Sequence, residues 1–266
     1  MPFLTQVLAD LIACLRFYSR LPVPVMAFEE APFAMLDFKR SIRMLPAAGA
    51  ILGAIGGIAL WLATAGGLPP LPSAALAMTV LVLATGAFHE DGLADTADGL
   101  GGGSSVARKL EIMRDSRIGT YGGVALVLSL LLRVTLLAEL LSTIGPIAAA
   151  VVIVSTAATS RTVALMPLAL LPPARTDGAA YAAMHPGVRA LAIAGGLAVV
   201  FALLPLAVGL SPLRMIVAVI AMVLAGASMT WIAKRQIGGQ TGDVAGACQQ
   251  VAEIAFLCVM ASHAGL

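Results

Sequence analysis

Long apolar segments separated by turn residues constrain this chain more than any other feature. A segment of about 20 mainly apolar residues is long enough to cross a bilayer as an α-helix. We place such segments, about seven in all, near residues 45–66, 71–88, 122–141, 146–170, 189–209, 213–233 and 244–262. Glycine and proline mark the breaks between them. The sequence therefore predicts an all-α, polytopic membrane helix bundle.

Composition supports this class and excludes others. The chain is 60% hydrophobic and 11% charged, whereas soluble domains contain roughly 25% charged residues. A net charge of +2, with no basic patch among aromatics, argues against a nucleic-acid partner. We expect residues 1–266 to form one integral membrane catalytic domain that contacts the lipid bilayer.

The N-terminal segment, residues 3–20, has the apolar spacing of a helix but is short for a span. Its positive charges, Arg16 and Arg20, follow the apolar part. A cleaved signal peptide carries its positive charges first. The segment is therefore predicted to be an interfacial helix.

Positive charge predicts the orientation of the spans. Lysine and arginine collect before the first span, between the second and third, around the fourth-to-fifth connection, and after the sixth. The alternate loops, 66–72, 142–146 and 209–214, hold only Arg214. Positive loops stay in the cytoplasm, so we predict a multi-pass membrane protein whose N-terminus and candidate site face the cytoplasm.

An acidic run at 89–120 is the main candidate for chemistry, because it holds six of the 14 acidic residues. If 91–98 is helical, Asp91, Asp95 and Asp98 lie on one stripe. Carboxylates crowded in this way repel one another unless a cation lies among them, and oxygen ligands suit Mg²⁺. The predicted metal ligands are Glu90, Asp91, Asp95, Asp98 and Asp243, with Asp95 and Asp98 also predicted as catalytic. A polar, solvated loop is the alternative interpretation.

Two of the candidates have simple structural alternatives. His89 is predicted as a catalytic base near neutral pH, although a lone histidine at a helix end is often just hydrogen-bonded. Asp243 lies at the start of the last span. It or Thr241 can cap that helix, or Asp243 can supply a further metal ligand.

Three arginines are predicted to bind phosphate, because the planar guanidinium forms paired hydrogen bonds with it. They are Arg114, Arg117 and Arg161. An arginine next to Asp115 is also what a structural ion pair looks like, and both interpretations stay open. The glycines of 119–123 either let backbone N–H groups approach an anion or allow close helix packing.

Two more charged residues, Arg133 and Glu139, lie inside the third predicted span. Charge within a membrane is costly, so such side chains face a cavity or a partner. The two are six residues apart and not on one helical face. Each is therefore expected to pair with another helix.

Two motifs in the centre of the chain resemble those of the cobalamin synthase family. They read His89-Glu90-Asp91-Gly92-Leu93-Ala94-Asp95-Thr96-Ala97-Asp98-Gly99 and Ile112-Met113-Arg114-Asp115-Ser116-Arg117-Ile118-Gly119-Thr120-Tyr121-Gly122. The resemblance extends to 20–24 and 239–243, and so covers nearly the full chain. The segment 95–99 is also similar to the DxxDG motif of CDP-alcohol phosphotransferases, although the Ala-Arg and second Asp-containing parts of that pattern are absent.

The resemblance implies an Mg²⁺-dependent transfer at the inner membrane of a bacterial cell. α-Ribazole or its 5′-phosphate would attack the pyrophosphate of adenosylcobinamide-GDP, and GMP would leave. Such chemistry needs positioning and cations rather than a covalent intermediate. Two other classes stay open, a lipid-directed phosphotransferase or prenyltransferase and a cation-coupled transporter. The oligomeric state is also open, with a homo-oligomer as one possibility.

Overall fold

The computed structural model describes residues 2–29, 34–176 and 186–263, and these residues form helices and no strand. The helices are α1 (Phe3–Tyr18), α2 (Leu45–Ala65), α3 (Pro70–Thr85), α4 (Phe88–Gly102), α5 (Val106–Ile112), α6 (Thr120–Val163), α7 (Leu165–Leu170), α8 (Val188–Ala202), α9 (Pro212–Ile237) and α10 (Gly242–Ala261). Single 3₁₀ turns precede α2 and follow α8. The predicted all-α class is confirmed.

Several helical stretches are long and apolar enough to cross a membrane. By length and composition five qualify in the described part of the chain, and a sixth does if α3 and α4 count as one bent span. One of the five, Thr120–Leu170, contains 51 residues. At 1.5 Å per residue it would measure about 75 Å, more than twice the roughly 30 Å of the hydrocarbon layer. It therefore cannot cross the membrane as one straight helix.

A break at Gly145 divides this stretch into two limbs. Gly145 has φ 78° and ψ 171°, which is not helical, and Pro146 follows it. The first limb runs parallel to α10, because Ser129 contacts Gln250 and Arg133 contacts Glu253. The second limb runs antiparallel to α10, because Ser160 contacts Gln249 and the carbonyl of Val163 contacts Cys248. Counted with α2, α8, α9 and α10, the two limbs account for six of the seven predicted segments. The seventh corresponds to α3, which qualifies as a span only together with α4.

Glycines bring α2 against the second limb of α6. A Cβ atom on Gly49 would lie 2.5 Å from the carbonyl oxygen of Ala157, and one on Gly53 would lie 2.8 Å from the Cα of Val154. Small residues let helix backbones approach closely in membrane proteins. This contact packs the hairpin of α6 into the centre of the bundle.

The N-terminal helix α1 is anchored to the segment that precedes α2. Asp10 is fully buried and accepts hydrogen bonds from the Nε atoms of Arg40 (3.0 Å) and Arg43 (2.7 Å) and from Ser41. The predicted helix is confirmed over Phe3–Tyr18. Its interfacial position stays a prediction.

A sharp bend separates α3 from the acidic helix α4. Gly86 and Ala87 both have positive φ angles, 64° and 56°, and the two helices meet at 87°. The predicted span 71–88 accordingly ends at Thr85. The turn directs α4 and its acidic residues away from the axis of α3, and α4 is not among the five stretches that qualify as spans on their own.

Candidate functional site

The acidic face of α4 meets the beginning of α10. Residues 91–98 are helical, so Asp91, Asp95 and Asp98 share one face, as the spacing predicted. A Cβ atom on Gly92 would lie 2.8 Å from the carbonyl oxygen of Asp243, so only glycine permits this approach of the two helices. The contact places Asp243 beside the carboxylates of α4.

The negative charges of Asp91, Asp98 and Asp243 repel that of Asp95. The pKa of Asp95 is raised to about 7, first because burial disfavours its charge and then because Asp91, Asp243 and Asp98 repel it. Such repulsion is relieved when a cation lies among the groups. Of the predicted metal ligands, these four lie close enough for their charges to interact.

Asp98 is held by the backbone at the start of α6. Its Oδ2 accepts the N–H of Gly119 at 2.7 Å, and its Oδ1 accepts the N–H of Gly122 at 2.8 Å. A Cβ atom on either glycine would collide with the carboxylate. Gly119 and Gly122 therefore do let backbone N–H groups approach an anion at a helix N-terminus, and that anion is Asp98, whereas Gly123 donates its N–H to the carbonyl of Gly119.

Asp243 is paired with Arg175, which sequence reasoning did not single out. The Nη2 of Arg175 lies 2.8 Å from Oδ2 of Asp243, and the same oxygen accepts the hydroxyl of Thr241 at 3.1 Å. Thr241 also caps α10, accepting the N–H of Val244. The available signal was that Arg175 and Asp243 lie in loops predicted to share the cytoplasmic side.

Glu90 belongs to a second, interior group rather than to the acidic face. Its Oε1 lies 2.9 Å from Nη2 of Arg133 and accepts Nε2 of Gln250 at 3.3 Å. Arg133 also lies 3.6 Å from Glu253 on α10. Arg133, which was expected to pair with another helix, does so here, whereas Glu139 lies 3.0 Å from His263, an exposed residue that follows the end of α10.

His89 and Arg161 line the same interior cavity as Glu90. The cavity has a volume of about 20 Å³ and lies between α3, α4, α6 and α10, enough for roughly one water molecule. His89 is buried with its ring nearly parallel to that of Tyr18. Arg161 donates from Nη1 to the carbonyl of Ala157 at 2.9 Å. Their predicted roles, base and phosphate ligand, stay predictions.

Arg117 forms the structural pair that was one of its two interpretations. It donates to Asp115 from Nε at 3.0 Å and from Nη2 at 2.6 Å, with 87% of its side chain exposed. These bonds lower the pKa of Asp115 to about 2. Arg114 donates its backbone N–H to Glu111 at the end of α5. Phosphate binding by these two arginines stays a prediction.

The carboxylates offer a partial metal site. Among the described residues, no three acidic, histidine or cysteine groups are placed to hold a metal ion together. Glu90, Asp98 and Asp243 are engaged as described above, whereas the side chains of Asp91 and Asp95, one helical turn apart, have no hydrogen bond or ion pair with the described residues. Mg²⁺ typically takes one or two carboxylates and completes its shell with water and substrate phosphate. The pair on α4 fits that chemistry.

Comparison with known proteins identifies relatives along most of the chain. Residues 10–261 match the family model described as cobalamin-5-phosphate synthase. Similar proteins include the adenosylcobinamide-GDP ribazoletransferases of Azorhizobium caulinodans (52% identical over 264 residues, 95% of each chain) and Xanthobacter autotrophicus (49% over 257 residues, 96% of each chain). That of Mesorhizobium japonicum is 45% identical over 254 residues, 96% of this chain and 93% of the relative. No solved structure gives a significant match.

Proposed function

Because the chain belongs to the cobalamin-5-phosphate synthase family, we propose that it joins adenosylcobinamide-GDP to α-ribazole or its 5′-phosphate, with Mg²⁺ as cofactor. The chain is an enzyme of cobalamin biosynthesis, a transferase. The products would be adenosylcobalamin, or its 5′-phosphate, and GMP. The observation that carries the proposal is the meeting of coupled carboxylates on α4 and α10 beside Arg175.

The reaction is one phosphoryl transfer. An oxygen of the acceptor forms a bond to the phosphorus on the cobinamide side of the pyrophosphate. The bond from that phosphorus to the GMP oxygen breaks, and the acceptor proton passes to a base. Little covalent chemistry is required of the protein, so positioning and charge stabilisation supply the rate.

Two residues of α4 are suited to hold the cofactor. Asp91 is exposed and Asp95 half-buried on the same face, so both can reach an ion at the membrane boundary. When bound, Mg²⁺ would supply positive charge to the phosphate oxygens. Asp98, with both oxygens on backbone N–H groups, would fix α4 against the start of α6.

Arg175 is the cation that the structure places at the acidic face. Its guanidinium contacts Asp243, and arginine is suited to bind phosphate oxygens through paired hydrogen bonds. In this scheme the arginine stabilises negative charge that develops on the donor phosphate. The positively charged loops favour a site on the cytoplasmic side of the inner membrane.

An assay in detergent separates the proposal from the other two classes. Purified protein with Mg²⁺ should release GMP from adenosylcobinamide-GDP only when α-ribazole or its phosphate is present. A transporter would need sealed vesicles and would leave the pyrophosphate intact. A lipid-directed enzyme would ignore α-ribazole and consume a lipid acceptor, so either of those results would contradict the proposal.

A further inference from the structure

We propose that Arg175 is a positioning residue that exchanges partners during the reaction cycle. In the structure its guanidinium contacts Asp243. When a divalent cation takes Asp243, the guanidinium moves to a phosphate oxygen of the nucleotide donor. This inference rests on the proposed function and names a residue that links metal binding to substrate binding.

The residues that directly precede Arg175 are held by backbone hydrogen bonds, so the proposed exchange requires motion of the side chain only. Ala174 donates its N–H to the carbonyl of Gln240, and Gln240 donates its own to the carbonyl of Pro172, both at 2.9 Å. A Cβ atom on Gly239 would lie 2.5 Å from the Pro172 oxygen. Residues 172–174 are thus held against the segment that leads into α10, a few residues from Asp243.

The ion pair itself leaves donor capacity unused. Arg175 contacts Asp243 through Nη2 alone, whereas Arg117 contacts Asp115 through both Nε and Nη2. The Nε of Arg175 is buried and has no hydrogen-bond partner among the described residues. A buried donor without a partner costs free energy, and a phosphate oxygen would satisfy it while forming the paired geometry that arginine favours.

Asp243 is the carboxylate for which a cation and Arg175 would compete. The side chains of Asp91 and Asp95 have no hydrogen bond or ion pair with the described residues, and Asp243 lies close enough to repel Asp95 but is paired with Arg175. Release of Arg175 would add Asp243 as a third carboxylate to the pair. Cation and guanidinium therefore compete for Asp243, and the freed arginine has a phosphate to bind when the substrate is present.

The test measures metal binding and kinetics on the same full-length variant. Mn²⁺ binding to the purified protein without substrate is followed by electron paramagnetic resonance. We expect Arg175→Gln to bind Mn²⁺ about two- to fivefold more tightly, the range of a partly exposed ion pair. Its kcat/KM for adenosylcobinamide-GDP should fall about ten- to hundredfold, mainly through KM. If Arg175 only stabilised the local structure, the variant would bind both Mn²⁺ and adenosylcobinamide-GDP more weakly.

Two further variants make the result decisive. Arg175→Lys keeps the charge but loses the fork, so Mn²⁺ affinity should stay near that of the wild type while KM still rises. If Arg175→Gln does not fold, Arg175→Lys decides alone, and an unchanged KM overturns the proposal. Arg108→Gln removes an exposed arginine paired with Glu111 and serves as the matched control, with both quantities unchanged.

The outcomes distinguish a failure of the partner exchange from a failure of the proposed function. Wild-type protein that binds Mn²⁺ and releases GMP, together with an Arg175→Gln variant that binds Mn²⁺ equally or less tightly, would contradict the partner exchange alone. Wild-type protein that neither binds Mn²⁺ nor releases GMP would contradict the proposed function, and the exchange with it.

Discussion

Arg133 and Glu90 form an ion pair in the interior of the bundle, with 2.9 Å between Nη2 and Oε1 and less than a tenth of either side chain exposed. Glu253 lies 3.6 Å from the same guanidinium, and Gln249 and Gln250 extend the network. The pair joins α4 to the first limb of α6, directly behind the acidic face. It therefore ties the position of the candidate site to the packing of the bundle.

Removing the arginine should destabilise the fold strongly. Arg133→Leu leaves the carboxylates of Glu90 and Glu253 buried without their cation, and breaking such a pair typically costs about 3–5 kcal/mol. We expect a large loss of thermal stability in detergent, measured by tryptophan fluorescence. Glu139→Gln, at an exposed pair with His263, is the control and should change little. Equal melting temperatures for both variants would contradict the role of the network.

The hairpin at Gly145 predicts the sidedness of two connections. A reporter fused after Ser142 should lie outside, and one fused after Thr176 should lie in the cytoplasm, because the second limb of α6 crosses the membrane between them. Alkaline phosphatase and green fluorescent protein fusions measure this directly. Reporters that agree on one side for both sites would rule out the hairpin as a pair of spans.

The contact between α2 and α6 should tolerate no side chain at Gly49. Gly49→Ala would place a methyl group 2.5 Å from the Ala157 oxygen, and overpacking of this kind costs about 1–3 kcal/mol. Gly196→Ala on α8 meets nothing within 4 Å and should be neutral or stabilising by up to about 1 kcal/mol. Unfolding in detergent compares the two, and an equally stable Gly49→Ala variant would show that the helices are not so closely packed.

Arg117→Lys distinguishes a phosphate ligand from a structural pair. The exposed pair with Asp115 favours the structural role, so we expect turnover and KM near the wild-type values. The lowered pKa of Asp115 means that the pair contributes above the ordinary value of 3.8 and is lost as the pH falls through about 2. Stability near neutral pH should therefore not vary with this group. A KM raised tenfold or more would restore the phosphate role.

Periodicity was sufficient for the helices and for the acidic stripe. Apolar segments bounded by glycine and proline predicted the spans, and the spacing of Asp91, Asp95 and Asp98 predicted their shared face on α4. Both rest on local geometry, because the repeat of a helix is set within a few residues. Charged residues within a span likewise predicted that Arg133 and Glu139 would find partners.

Long-range pairing could not be predicted in the same way. Arg175 and Asp243 are 68 residues apart, and the docking of two loops by backbone hydrogen bonds leaves no side-chain pattern. Glu90 is separated from the acidic face because it lies in the first turn of α4 and pairs with Arg133 on α6. The start of that helix is set by the positive φ of Ala87, which has no clear sequence signal. Asp98 was placed on the correct stripe, but its engagement by two glycines depends on the path of α6.

The central claim, that the acidic face of α4 holds the cation for phosphoryl transfer, is tested most directly at Asp95. Asp95→Asn keeps the size of the side chain and removes its charge. We expect acceptor-dependent GMP release from adenosylcobinamide-GDP to fall by about a hundredfold or more, with a weakened response to Mg²⁺ titration. Glu111→Gln, a substitution at an exposed surface pair, should match the wild type. An Asp95→Asn variant with wild-type turnover and Mg²⁺ dependence would contradict the account.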